Sequence, residues 1–194
     1  MVLGLRWLTC VVARAGAAVL VPLLLLNAAQ AQTSVPPAGA GTALNPYQIS
    51  QLGHLVWMGD HVDSSSGTYY TVQNDMDASD TTNWSSGAGF SLIGTAATNF
   101  MGIVNGNGKA IANLTINRPS QDNVGLFGYV GSSGVVKDLG LPGGSVGGGR
   151  YVGGLVGVNY GVVSNCHATG AVAGGEQESV LRLGAGAGGE SRAF

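Results

Sequence analysis

The chain has 194 residues, of which 34 are glycine and only 9% are charged, and its net charge is −2. With 45% hydrophobic residues it is too apolar for a disordered chain and too rich in glycine for a compact helical bundle. It has no basic field to hold a phosphate backbone, which argues against nucleic acid as a partner.

Residues 1–31 read as a signal peptide. Arg6 and Arg14 supply positive charge, Ala15 to Leu26 is apolar, and Ala29-Gln30-Ala31 offers small residues at a cleavage site, so the mature chain is expected to start at Gln32. The alternative is a retained membrane anchor: the uninterrupted apolar core is shorter than the roughly 20 residues a bilayer needs, although Trp7 to Ala13 would lengthen it, and no later stretch is long and apolar enough to span one. The expected location is therefore outside the cell or on its surface. Cleavage removes Cys10 and leaves Cys166 alone, so no intrachain disulfide can form. Cys166 reads better as a small apolar packing residue than as a reactive thiol.

Residues 32–44 are rich in Pro, Ala, Gly and Ser and read as a linker. From Tyr47 to Gly59, Ile49, Leu52, Leu55 and Val56 recur at helical spacing, and Ser50 can cap the helix start. This short helix is expected to cap the open end of a β body, with residues 45–101 forming the cap and a first coil. Tyr69 to Val72 reads as a strand, Asp75 to Ser86 as a polar loop, and Phe90 to Ile93 as another short strand.

From Gly102 onward the texture changes, and 24 of the 34 glycines, Gly102 included, lie in that stretch. Residues 102–175 form a region of their own. Within it, Ile111 to Ile116, Val136 to Leu141 and Val163 to Ala168 repeat at sequence offsets of 25 and 27. This places Asn113, Asp138 and Asn165 at one phase, and Leu114, Leu139 and Cys166 at the next. Gly125-Leu126-Phe127-Gly128 and Gly154-Leu155-Val156-Gly157 repeat at 29, and Gly134-Val135-Val136 and Gly161-Val162-Val163 at 27. Such spacing suits coils that stack on one another, with same-phase apolar residues piled into a core. Same-phase Asn and Asp then sit at corners, where they tolerate left-handed backbone. The reading is an all-β solenoid of a few coils with a short N-terminal capping helix.

The run from Gly153 to Gly170 resembles a GLUG repeat, as found in filamentous-haemagglutinin-like surface adhesins, and Gly125 to Leu141 is similar to a more divergent copy. Asn45 to Ser50, Asn74 to Asp77, Phe100 to Gly108 and Asn113 to Ile116 resemble the lead-in of such proteins. The resemblance spans about residues 45 to 173. It implies a right-handed β-helix and an adhesive surface role, and it brings no catalytic residues. GLUG proteins are usually long arrays, whereas this chain has two or three coils. Residues 176–194 are more charged and lack the signature. They read as an irregular tail, and the chain as a fragment or frame-shifted end of a longer reading frame.

Candidate chemistry is sparse, and neither a catalytic set nor a cofactor is expected. Gly143-Gly144-Ser145-Val146-Gly147 matches G-x-S-x-G, but that elbow needs a strand before it, a helix after it, and an acid and then a His downstream. Only His167 follows, so a flexible turn is the better reading. Asp75, Asp77 and Asp80 bring three carboxylates close enough in sequence to hold calcium, although the Gly and final Glu of an EF-hand are absent; a solvated acidic loop competes with that reading. Asp60, His61 and Asp63 form a weaker set. Asn83-Trp84-Ser85 and Asn113-Leu114-Thr115 match the glycosylation acceptor, a coincidence in a bacterial setting. Trp57, Trp84, Tyr69 and Tyr70 could form a sugar-contact patch; Trp57 is better explained by cap packing, and Trp84, alone in a polar loop, is the ligand-contact candidate. The expected partners are host or matrix glycans or proteins, or neighbouring solenoid coils. A carbohydrate-active β-helix enzyme and a remnant of a larger adhesin are the alternatives to a binding or structural module.

Overall fold

A computed structural model of the chain describes residues 32–62 and 67–175. The signal peptide, Asp63 and the tail 176–194 lie outside the described residues. The protein is mostly β with one α-helix.

The stretch expected to be a linker lies against the body of the molecule. Val35 N–H donates to the Gly53 carbonyl at 3.0 Å and Gln48 N–H to that of Ala38 at 2.7 Å, while the Gln32 side chain bonds Ser85 and Ser91. Next come β1 (Tyr47–Ile49) and α1 (Leu52–Asp60). The helix starts later than its periodicity suggests because Tyr47–Ile49 is claimed by pairing with a neighbouring strand. Ser50 does not cap it: the cap position is Gln51, and the His54 ring accepts the Ser50 N–H at 3.1 Å instead. The helix buries Leu55, Val56 and Met58 in the same core as Ile49.

The remaining strands are β2 (Tyr69–Val72), β3 (Met76–Asp77), β4 (Ile103–Ala112), β5 (Thr115–Arg118), β6 (Phe127–Val130), β7 (Val135–Leu141), β8 (Ser145–Gly148), β9 (Val156–Asn159), β10 (Val162–Ser164), β11 (His167–Ala168) and β12 (Ala171–Ala173). Two 3₁₀ turns, Ser79–Asn83 and Ser85–Gly87, precede β4. Phe90 to Ile93 forms no strand, only an isolated parallel bridge from Ile93 to Phe127.

All pairs of named strands are parallel. One sheet runs β1-β2-β4-β7-β10, with β3 and β11 paired beside β4 and β7; a second runs β5-β8-β12; a third pairs β6 with β9. Parallel neighbours need a long crossover, and here the strands of the other two sheets provide it: β5 and β6 lie between β4 and β7 in sequence, and β8 and β9 between β7 and β10. Each of these coils thus contributes one strand to each sheet and stacks on the coil before it.

The registers build the core. Tyr70, Val104, Val136 and Val163 form one column of paired residues. Ile116, Val146 and Val172 form a second. Ile93, Phe127 and Val156 form a third, with the Phe100 ring 5.0 Å from that of Phe127. Burial of such side chains, at about 1.5–3 kcal/mol each, adds to the parallel backbone ladders in holding the coils together.

Two of the sequence repeats coincide with these registers: Val135 pairs with Val162, an offset of 27, and Phe127 with Val156, an offset of 29. The offset of 25 does not. Val104 pairs with Val136, an offset of 32, and a bulge in β4 between Asn105 and Lys109 reduces this to 30 where Lys109 meets Leu139. Ile111 is carried toward Leu141 rather than Val136, and Asn113 N–H donates to the Pro142 carbonyl at 2.9 Å. Asn113, Asp138 and Asn165 all take positive φ, at 61°, 56° and 51°, but they occupy two corners. Asn165 donates to Asp138 at 2.6 Å on one corner, and Asn113 donates to Asp77 at 3.1 Å on the other. Glycine is required where coils meet most tightly: a Cβ on Gly134 would stand 2.6 Å from the Phe100 carbonyl oxygen, and one on Gly161 would run into the Gly134 carbonyl.

Candidate functional site

The acidic loop does not gather into a cation site. Met76 points into the core, so Asp75 and Asp77 face outward on either side of it. Asp75 accepts the Ala110 N–H at 2.8 Å. Asp77 accepts the Asn113 amide at 3.1 Å and the Ser79 N–H at 3.0 Å, and its second oxygen takes the Ser79 hydroxyl at 3.2 Å. The Asn113 amide first, then the Ser79 backbone, hold the Asp77 carboxyl below its ordinary range. Asp80 stands apart in the first turn of the Ser79–Asn83 segment. Among the described residues no three His, Cys, Asp or Glu side chains converge. Of the calcium candidates Asp75, Asp77 and Asp80, the first two satisfy backbone and corner groups of the neighbouring coil.

The aromatic candidates are dispersed. Trp84 belongs to a stretch that reads as a polar loop, yet it is only 9% exposed and packs near Phe90, with ring centroids 6.2 Å apart. The loop folds inward because Thr81 is buried: its hydroxyl donates to the Ala78 carbonyl at 2.6 Å and accepts the Thr115 N–H at 2.9 Å. This pins the 3₁₀ turn against β5 and turns the indole into the core, where little of it is left for a ligand. Trp57 sits between Tyr47, edge-on at 5.1 Å, and His61, stacked at 4.3 Å. Tyr70 is buried between Tyr47 and Phe100, and Tyr69 is half-buried.

An aromatic surface that sequence reasoning missed lies on the outer face of the β6–β9 sheet. Tyr129 and Tyr160 stack with centroids 5.5 Å apart and planes 21° apart, and Tyr160 is 67% exposed. Partial burial and the neighbouring Tyr160 push the Tyr129 phenol up. The register pairs Tyr129 with Val158, so Tyr160 is its diagonal neighbour, within reach of a large ring. The repeat offset points only to Val158, and nothing in the sequence alone marks the diagonal contact.

The remaining chemical candidates are structural. Ser145 opens β8, between Thr115 and Ala171 in the flanking strands, and is not on a strand-to-helix elbow. It borders a small apolar cleft lined also by Leu114, Leu141 and Ala168, whose interior of about 10 Å³ has room for no more than a water molecule. His61 closes the C-terminus of α1, its Nδ1 2.9 Å from the Trp57 carbonyl. Asp122 pairs with Arg150 at 3.5 Å on the surface. Cys166 is half-buried; its thiol donates to the Ser164 carbonyl at 3.2 Å, and burial pushes its pKa up, as suits a packing residue.

Residues 148–173 match the GLUG motif. Over 142 residues, 72% of this chain, the sequence is 36% identical to a protein named halomucin from Haloquadratum walsbyi, of which it covers 2%. Over 140 residues, 70% of this chain, it is 39% identical to a putative Gly-rich membrane protein from Evansella cellulosilytica, of which it covers 16%. The chain therefore spans a small part of the length of these relatives. No solved structure matches it. Among the described residues no helix is long and apolar enough to cross a membrane.

Proposed function

We propose that the protein is an exported, surface-associated module that binds or builds and does not catalyse: a right-handed β-helix of the adhesin-like kind, cleaved near Ala31 and Gln32. The observation that carries this reading is the stacking of parallel coils with the GLUG motif at residues 148–173. That architecture uses its side chains for coil-to-coil packing. The names of the two relatives, a halomucin and a Gly-rich membrane protein, support the location. The Tyr129–Tyr160 pair is the contact surface, since amphipathic rings offer a flat apolar face with a polar edge to a glycan or a protein.

The test is to express the full chain in a Gram-negative host and track its fate. Cleavage after Ala31, export, and saturable binding to immobilised glycans or matrix proteins that weakens on Tyr160→Ala are expected. Retention in the cytoplasm, or release of reducing ends from a polysaccharide, would sink the reading.

A further inference from the structure

The residue expected to follow the cleaved leader is also one that the fold grips from a distance. The Gln32 carboxamide is bonded at both ends to a segment 53 to 59 residues further along the chain. Its Oε1 accepts the Ser91 N–H at 3.0 Å. Its Nε2 donates to the Ser91 hydroxyl at 2.8 Å, to the Ser85 hydroxyl at 3.0 Å and, at the longer distance of 3.4 Å, to the Gly89 carbonyl. Arg118 donates to the same Ser91 hydroxyl oxygen at 3.3 Å.

The segment that forms this socket is strained. Ser85, Ser86, Gly87 and Gly89 all take positive φ, at 51°, 58°, 88° and 77°. Serine is uncommon in that region, and such backbone persists only where its surroundings fix it. Here the bend is held from behind. Gly89 N–H donates to the Trp84 carbonyl at 3.1 Å, and a Cβ on Gly89 would run into the Thr115 carbonyl. The socket thus belongs to the body of the molecule. From Gln32 the chain runs as a strap over the N-terminal elements: Val35 N–H bonds the Gly53 carbonyl of α1, Pro37 is buried, and the Ala38 carbonyl accepts from Gln48 of β1.

We propose that this socket is a binding site for the mature chain's own N-terminal glutamine, which it clasps and keeps uncyclised. The proposal rests on cleavage after Ala31, which makes Gln32 an N-terminal residue. An N-terminal glutamine can react with itself. The unprotonated α-amine attacks Cδ, a new N–Cδ bond closes a lactam ring, the Cδ–Nε2 bond breaks, and Nε2 departs with the amine's proton as ammonia. Because Nε2 is the leaving group, every bond it makes to Ser85, Gly89 and Ser91 must break on the way. Docking and cyclisation therefore exclude one another. The socket slows the loss of ammonia, and a chain that has cyclised no longer has the amide nitrogen that holds the strap down.

The test is to express the full chain in a Gram-negative host, purify the exported protein, and follow its N-terminus and intact mass at about pH 8, where much of the α-amine is unprotonated. A start at Gln32 is expected, with loss of one ammonia roughly tenfold slower in the folded protein than in the same protein unfolded in guanidinium chloride. The double variant Ser85→Ala with Ser91→Ala removes two of the three acceptors of Nε2. It is expected to cyclise in its folded state nearly as fast as the unfolded chain, and to show faster hydrogen exchange at Val35. Ser86→Ala, in the same turn but outside the set that holds Gln32, is expected to cyclise as slowly as the unsubstituted chain. Equal rates in the folded and unfolded protein overturn the proposal, and so does a slow rate that survives the double variant. A start at another residue overturns it together with the cleavage reading, so the N-terminus tells the two failures apart. Should the double variant fail to fold, the comparison of folded with unfolded unsubstituted chain decides alone.

Discussion

The two ends of this stack of coils are built from similar strands and finished differently. At the N-terminal end β1 is covered: α1 lies over it, the segment from Gln32 bonds across it, and Ile49 and Met58 are fully buried. At the C-terminal end β10 to β12 carry the same kind of apolar residue, yet none of Val163, Cys166, Ala168 or Val172 is fully buried. The difference teaches that a coil of this type cannot complete its own core. Its inward residues are buried only when a layer lies on both sides, so stability should be highest in the middle of the stack and fall toward the open end.

The largest effect should come from the middle. Phe127 is 1% exposed and packs on Phe100 within the Ile93–Phe127–Val156 column. Phe127→Ala is expected to cost about 3–5 kcal/mol, read as a fall in the urea midpoint of the whole domain. A loss confined to a minor early transition would mean that the coils melt one at a time.

Gly161→Ala tests where the tightest joint lies. The added methyl would press into the carbonyl oxygens of Gly134 and Gly131, and forcing the coils apart is expected to cost about 1–3 kcal/mol. Hydrogen exchange should show residues 162–173 loosening while residues 103–130 stay protected. Uniform loosening would erase the distinction between middle and end.

Val146 and Val172 sharpen the comparison further, because they occupy one column in adjacent coils. Val146→Ala, at a site 6% exposed, should cost about 1.5–3 kcal/mol. Val172→Ala, on the open coil, should cost less than half as much in chemical denaturation of dilute protein. Equal costs would show that the end is covered after all.

The smallest expected effect is acid dependence at Asp77. Its carboxyl is held below the ordinary value of 3.8 by Asn113 and Ser79. Its contribution is therefore present above the unfolded-state value and lost as pH falls through the lower folded-state one. Asp77→Asn should flatten the acid limb of the melting temperature, and an unchanged limb would assign acid loss to other carboxylates.

Much of the candidate site lay beyond the sequence for identifiable reasons. The polar loop around Trp84 reads as solvent-facing, but one buried threonine hydroxyl, Thr81, turns it inward by bonding both its own turn and β5. Asp75 and Asp77 read, with Asp80, as a calcium candidate or a solvated acidic loop, while their partners, Ala110 and Asn113, lie 35 and 36 residues away. Tyr129 and Tyr160 are out of phase by the repeat and meet only on a sheet diagonal.

By itself the sequence determined the mostly-β, repeating architecture, the strand Tyr69–Val72, a helix at Leu52–Asp60 to within a few residues, and the offsets of 27 and 29, because periodic apolar residues and glycine corners are local and repeated. Only the tertiary structure decided the register of β4 against β7, the assignment of Asn113 to a separate corner, the burial of Trp84 and the openness of the last coil. A bulge in one strand shifts every contact beyond it without leaving any mark on the periodicity, and whether an apolar strand is buried depends on which strand lies beside it.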